Sequence, residues 1–383
     1  MTDDPALRAP VPHMVHVFPS FGHGGVPIRI AGVINHFADR YRHTILSLDG
    51  ATGAVSRIDP SLDVNVHDPG IDKRRPLASL FRIRRVLVDL APDLLLTYNW
   101  GSIEWALANR IFPVSLHIHL ESGFGPDEVE GQIPRRVKFR RLALRHIRAL
   151  VVPSFTLVAI AREIWRIDPA KIRHIPNGVD CDLFGGPGDA ASVPGFERRP
   201  GELIVGTLAP LRAEKNLHRL LRVFAKVEPA RPVRLLIAGD GVERAGLEVE
   251  AERLGIADRV IFTGHVEQPE KIYPLMDVFA ITSDTEQMPN TLIQAMAASL
   301  PVAGVDAGDI KANLSPQNRE MVVDREDEKG LADFLVRVLN DDEFRSGLAA
   351  ANRAHVAQNY GAETMFAAYG SLFDEFLNSS SRS

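Results

Sequence analysis

The stretch "DVFAITSDTEQMPNTLIQAMAASLPVAGVDAGD", Asp277 to Asp309, reads as a complete strand–loop–helix–strand unit. "DVFAITS" is short and apolar, as a buried parallel strand should be. A polar loop with a lone acid, Glu286, follows, and then the pair Pro289–Asn290. "NTLIQAMAA" reads as a short apolar helix, and "LPVAGVD" as a second buried strand closed by a glycine turn. Pro289 and Asn290 are good helix starters. With Asn290 as the expected cap, the first-turn N–H groups through Thr291 and Leu292 face outward, with the helix dipole behind them. Such a start is a ready anion site. Glu286 lies just ahead of it and Gln294 one turn inside. Taken alone, both acid and amide are better explained as solvent-facing polar residues.

Outward from this stretch the same alternation continues. "ELIVGTLAP", "VRLLIAGDG" and "RVIFTGHV" precede it as strands in the second half of the chain. The first half offers "HMVHVFPS", "RHTILSL", "DLLLTYN", "VSLHIHL", "ALVVPS" and "IRHIPNG", with helical patterns such as "SLFRIRRVLVDL" and "FTLVAIAREIW" between some of them. Strands alternating with helices predict βαβ units and parallel sheets covered on both faces. From Cys181 to Gly201 the pattern gives way to "CDLFGGPGDAASVPGFERRPG", a linker composition. The expected architecture is α/β, two doubly wound Rossmann-like domains facing each other across a cleft. One covers residues 1–185 and the other 200–360, with a C-terminal helix over 361–383 packing back on the first. Ligands should sit beyond the carboxyl ends of the strands.

A chain of 383 residues is long for one core. Its single cysteine, Cys181, excludes an internal disulfide framework and a multi-thiolate metal site, and fits a reducing compartment. The opening "MTDDPALRAP" is no signal peptide, and no segment reads as a spanning helix. A cytoplasmic protein, at most peripheral on a membrane face, is the expectation. Charge is uneven along the chain: 23 Lys and Arg against 18 Asp and Glu over residues 1–180, a net of +5, and 21 against 31 over the rest, a net of −10.

Two further turns could carry chemistry. "PSFGHGGVPIRI" puts glycines 22, 24 and 25 between the first strand and the first helix, where backbone N–H groups can approach a phosphate. A plain tight turn explains the same residues. In "VGTLAPLRAEKNLHRLL", Lys215 emerges just past a strand end. It reads either as a solvated helix cap or as a point charge for a diphosphate.

"IPNGVD", "GT…EKN…L", "LLIAGDG", "FTGHV", the stretch quoted first and its "DAGD" turn occur in this order and spacing. Together they resemble the retaining glycosyltransferases of family four, which have the GT-B fold. The resemblance runs from about Val15 to Val323. It implies a nucleotide-sugar donor held mainly by the second domain, an acceptor held by the first, and no metal or other cofactor. Glu286 matches the first of the family's two glutamates eight positions apart, beside the donor sugar. Gln294 stands where the second, ribose-binding glutamate is usual, and a glutamine forgoes charge-assisted hydrogen bonds. Lys215 matches the phosphate-binding lysine, but the partner arginine five residues earlier is Pro210 here, with Arg212 a possible substitute. Met288, Pro289, Asn290, Thr291 and Leu292 then contact the donor, and the backbone around His265 and Val266 contacts the base.

The family also carries a first-domain histidine near the reacting sugar. "SLHIHLESGFGPDE" offers His117 and His119, which strand alternation puts on one side. His119 is nearer the loop and is favoured; either could equally be a hydrogen-bonded structural histidine. Glu121 and the loop Ser122–Glu128 then look like part of the acceptor or sugar pocket. "IPRRVKFRRLALRHIRAL", 133–150, carries seven Lys and Arg and no acid. It reads as a basic amphipathic helix for an anionic membrane surface, or as an ordinary solvated face. "DKRR" at 72–75 and "FRIRR" at 81–85 add cations. Nucleic acid is disfavoured because no aromatic-interleaved basic motif accompanies the charge.

These expectations combine into a retaining, metal-independent transferase. It moves a sugar from a nucleotide diphosphate, UDP first among them, to a lipid or lipid-linked saccharide. Lys215, Gly24, Gly25 and the helix start at Asn290 would stabilise the leaving diphosphate, Glu286 would orient the sugar, and His119 would contact it. The alternatives are a degenerate nucleotide-sugar-binding regulatory or scaffold subunit, and a GT-B sugar-nucleotide epimerase.

Overall fold

The computed structural model describes residues 11–71, 74, 76–124, 126–128, 131–193, 195–228 and 230–378. The opening decapeptide, three residues of "DKRR", Gly125 in the Ser122–Glu128 loop and the last residues of the 361–383 segment lie outside them. The chain divides into two compact units, Met1–Ile175 with Phe366–Ser383, and Pro176–Met365.

In the first unit, β1 (His13–Phe18), β2 (Arg42–Ser47), β3 (Val64–His67), β4 (Leu94–Tyr98), β5 (Leu116–Leu120), β6 (Ala149–Val152) and β7 (Ile172–His174) form one sheet. Its order is β3-β2-β1-β4-β5-β6-β7, with every neighbour parallel. The order reverses between β1 and β4. Such strands are buried on both faces, so they read as apolar runs, and β1 is buried along its whole length. Histidines interrupt those runs, and each finds a polar partner from a neighbouring strand, as buried polar groups must. His13 Nε2 lies 2.9 Å from Thr44 Oγ1, and His16 bridges Tyr98 OH at 2.8 Å and His43 Nδ1 at 3.0 Å. From Phe366 onward the helix Ala362–Leu377 packs on this unit, with Phe366 stacked on His36 and Phe373 edge-on to Phe37.

β3 escapes the sequence reading for a simple reason. "VNVH" lies at the sheet edge with residues alternately half-buried and exposed, so it never forms an apolar run. The basic segment 133–150 is not one helix. The helix spans Pro134–Ala143, and Ala149 and Leu150 already belong to β6. Its cationic stripe is broken as well, because Arg140 is completely buried.

The second unit carries β8 (Leu203–Leu208), β9 (Val233–Ala238), β10 (Val260–Gly264), β11 (Val278–Ile281) and β12 (Val302–Gly304). Their order is β10-β9-β8-β11-β12, again parallel, with the reversal between β8 and β11. Both faces are covered. Ile204, Leu236 and Phe279 pack with Met296 of the helix Asn290–Ala297. Val205, Leu235 and Val278 pack on the other side with Leu220 of the helix Leu217–Ala225. The Gly- and Pro-rich stretch after Cys181 does not behave as a free linker. Phe184, Val193 and Phe196 are buried in the core that contains Phe279, because three large apolar groups outweigh the small residues around them.

Candidate active site

At the carboxyl ends of β8 and β11, beside the strand reversal, lies a cavity of about 40 Å³. Its wall includes Thr207, Pro210, Lys215, Ser283, Glu286 and Thr291. In open parallel sheets this is where ligands gather. The backbone on the β8 side is fixed from β9. Ala209 N–H donates to the Ala238 carbonyl and Leu211 N–H to that of Asp240, at 3.0 Å each. Gly239 has φ 137°, and a Cβ there would collide with the Ala209 carbonyl oxygen, so only glycine allows this approach.

Lys215 closes the short turn Ala213–Lys215. Its ammonium donates to Glu286 Oε1 at 2.5 Å, and the Ser283 hydroxyl donates to the same oxygen at 2.7 Å. The lysine side chain is 20 % exposed and the glutamate 10 %. The pair is therefore half dry, where an anion feels a cation more strongly than in bulk water. Glu286 is steadied from behind by the "DAGD" turn. Gly308, at φ 55°, sits against the Glu286 carbonyl where no Cβ would fit, and Asp309 N–H donates to the Gln287 carbonyl at 3.2 Å.

The helix after Glu286 differs in detail from the expected one. Pro289 is its cap residue and Asn290 its first helical residue, and no side chain caps it. Proline's fixed φ suits the extended cap conformation seen, φ −70° and ψ 123°. The Leu292 N–H is not free: it donates to the Pro289 carbonyl at 3.1 Å, and the Leu292 side chain is core. Among the described residues the N–H groups of Asn290 and Thr291 have no such partner, and Thr291 lines the cavity. Met288 is buried, and its carbonyl accepts from Asn177 Nδ2 at 2.9 Å.

Gln294 stands outside the cavity wall, half-buried, with its Oε1 accepting from Tyr273 OH at 3.0 Å. Burial pushes the Tyr273 phenol well above its usual range, so it stays protonated and donates. Arg212 is solvent-exposed and does not line the cavity. His265 is exposed, and Val266 packs against the core. Ser283, Thr207 and Tyr273 escaped the sequence reading. Ser283 could have been found by its position, three residues before the acid and just past the strand end.

In the first unit, Gly24 and Gly25 are exposed at the start of the helix Gly25–His36, with Gly24 as its cap residue. His117 and His119 do share a face, both bonded to Thr97 Oγ1, at 2.8 and 2.7 Å. His119 is completely buried, as is Glu121. His119 Nε2 and Arg140 Nε stand 3.9 and 3.7 Å from Glu121 Oε2, beyond direct hydrogen-bond length. Arg140 is held by Glu128, at 3.0 and 2.9 Å, and its guanidinium lies over Trp100 and Trp165. It is the hub of a core network and is closed to any membrane. Arg136 is paired with Asp127 and Glu128, and Arg141 donates to the Ile164 carbonyl. Arg135, Lys138, Arg145 and Arg148 remain exposed.

Among the described residues no three His, Cys, Asp or Glu side chains are grouped to hold a metal ion. None of the described helices is long and apolar enough to cross a membrane. The chain can thus offer a half-dry ammonium, a carboxylate and an uncapped helix start to one ligand, a set suited to an anion joined to a polyol.

Comparison with known proteins places the chain in a family. A D-inositol 3-phosphate glycosyltransferase of Segniliparus rotundus is 33% identical over 253 residues, 61% of this chain and 55% of that protein. An N-acetyl-alpha-D-glucosaminyl L-malate synthase of Bacillus anthracis is 24% identical over 176 residues, 46% of each chain. The chain thus spans about half the length of these two curated relatives. Anabaena HepE, solved in complex with UDP, superposes with a TM-score of 0.77 over 95% of this chain and 100% of that one. At 17% identity that likeness speaks for the fold. Residues 24–178 match the glycosyl transferase 4-like domain and residues 199–341 the domain of glycosyl transferases group 1. The chain belongs to the family-four glycosyltransferases and has their GT-B fold.

Proposed function

We propose that the chain is a retaining glycosyltransferase that takes a sugar from a nucleotide diphosphate, UDP in the first instance, without a metal ion. The observation that carries this reading is the convergence of Lys215, Glu286 and the uncapped start of the Asn290–Ala297 helix on one cavity. As the sugar leaves, negative charge grows on the diphosphate. The Lys215 ammonium and the helix N–H groups meet that charge with dipoles already in place, which is where electrostatic catalysis gains most. Glu286 then turns to the sugar hydroxyls. The departing phosphate oxygen takes the acceptor proton. HepE, whose structure contains UDP, supports the choice of a uridine nucleotide. The regulatory-subunit alternative draws on Pro210 and Gln294 alone, and the intact Lys215–Glu286 pair favours an enzyme. Lys215→Ala should lower kcat by about 10²–10³ in a folded protein. Near-normal turnover would return Lys215 to a helix cap.

The acceptor in this reading is a lipid or lipid-linked saccharide, supported by the +5 charge of residues 1–180 against −10 in the rest. Recruitment to an anionic surface falls to the exposed cations Arg135, Lys138, Arg145 and Arg148, each worth roughly 1 kcal/mol there. Reversing these four should abolish salt-sensitive binding to anionic liposomes. Equal binding to neutral and anionic vesicles would refute it.

A further inference from the structure

Lys215 stands just before a left-handed turn. The next residue, Asn216, has φ 43° and ψ 50°, a region that asparagine tolerates better than most residues with a side chain. Asn216 Oδ1 caps the following helix at the Arg219 N–H, 3.2 Å away, and the rest of the turn's side-chain support comes from the exit of β11, the same loop that carries Ser283 and Glu286. Asn216 Nδ2 donates to both carboxylate oxygens of Asp284, at 3.1 and 3.0 Å. Arg219 pairs with Asp284 Oδ1 at 2.8 Å and donates to the Thr282 carbonyl at 2.7 Å. The Asp284 N–H donates to the Glu214 carbonyl at 2.9 Å, and the Thr282 hydroxyl to that of Asn216 at 3.1 Å. Arg325 donates to the Asp284 carbonyl at 2.9 Å.

One carboxylate therefore joins the two loops of the cavity. On one loop it fixes the residue after Lys215. On its own loop it is two residues from Glu286. The pair is largely buried, with Arg219 6 % and Asp284 35 % exposed, so it helps to hold the two loops together. Its geometry also sets where an ammonium stands, and small displacements of a reacting constellation are costly in rate.

We propose that Asp284 is a positioning residue for sugar transfer: through Asn216 it fixes the Lys215 ammonium beside Glu286 and the helix start. The inference rests on the reading of Lys215 as the diphosphate ligand. Its test is a double-mutant cycle on kcat and donor KM, using UDP-sugar turnover by the full chain. Asp284→Ala should lower kcat about ten-fold or more with donor KM changed only a few-fold. In a Lys215→Ala background the same change should cost no more than about two-fold, because the group it positions is gone. Asp284→Asn keeps an acceptor oxygen for Asn216 and should recover most of the loss. Asn216→Gly permits the left-handed backbone and removes the tether, together with a helix cap that glycine replaces at little cost. It keeps the test sharp if Asp284→Ala fails to fold, and should lose turnover likewise. Normal turnover of Asp284→Ala or Asn216→Gly beside an impaired Lys215→Ala overturns the proposal. So does an equal loss in both backgrounds. A Lys215→Ala enzyme of normal rate overturns the reading beneath it instead.

Discussion

Inside the first unit the polar groups between strands are histidines in side-chain hydrogen-bond chains, while in the second they are ion pairs near the strand ends. His16 joins Tyr98 to His43, and Thr97 joins His117 to His119. In the second unit Lys215 meets Glu286 and Arg219 meets Asp284, with 20 % of the lysine and 35 % of the aspartate side chain exposed. An uncharged hydrogen-bond chain can be buried at lower cost than a lone charge. It offers nothing to a charged ligand. A half-wet ion pair is different, since an incoming anion can share the cation without leaving a buried charge alone. The ion pairs open to a ligand thus lie at the strand ends of the second unit, while the first unit's Arg140–Glu128 pair is sealed in its core.

The largest test of this contrast is Arg140, the first unit's own buried cation. Arg140→Glu would set a like charge between Glu121 and Glu128, and breaking a buried pair costs on the order of 3–5 kcal/mol. Trp100, Trp105 and Trp165, the chain's three tryptophans, all lie in the first unit, so their fluorescence reports on it alone. Their unfolding midpoint in urea should fall sharply. An unchanged midpoint would mean that Arg140 is an ordinary surface cation.

Acid should separate the units next. Burial, with neighbouring histidine charge second, holds His43 down to about 4 and His117 to about 3, and it lowers His13 and His16 as well. In the second unit burial lowers His355. A depressed histidine stays neutral in the fold while the unfolded chain takes up its proton below about pH 6.5. Its stabilising contribution is complete above that pH and is lost as pH falls toward 4. For His43 alone that is about 3 kcal/mol. Tryptophan-detected stability should therefore drop between pH 6.5 and 4, and His43→Gln should flatten the drop. A flat pH profile in the wild-type protein would show that these rings are charged or wet.

Gln294→Glu should have the smallest effect. Tyr273 OH can donate to a carboxylate as it does to the amide. Nucleotide affinity, measured by calorimetry, should stay within about three-fold or tighten. A larger loss would mean that Gln294 faces something other than a ribose.

Much of this was legible in the residues. Parallel strands buried on both faces announce themselves as apolar runs, so β8, β9, β11 and β12 could be read directly, and so could the helix after Pro289. β3 could not, because an edge strand that alternates leaves no run. Lys215 and Glu286 could be named, yet their direct bond could not, since it joins residues 71 apart through a left-handed turn. Arg140 misled because a run of cations looks like a solvated face. Its burial depends on Glu128, Trp100 and Trp165, none of which is fixed by helical spacing. Asp284 was silent for the same reason.

The central claim, that Lys215 and the uncapped helix start hold a nucleoside diphosphate, is tested most directly by titrating UDP in EDTA. The wild-type chain and Lys215→Ala should be compared by calorimetry. The account predicts that binding persists in EDTA and weakens about ten-fold or more in the variant, the loss of one charge-assisted contact. Equal affinity of the two proteins, or binding that appears only when Mg²⁺ is restored, would contradict it.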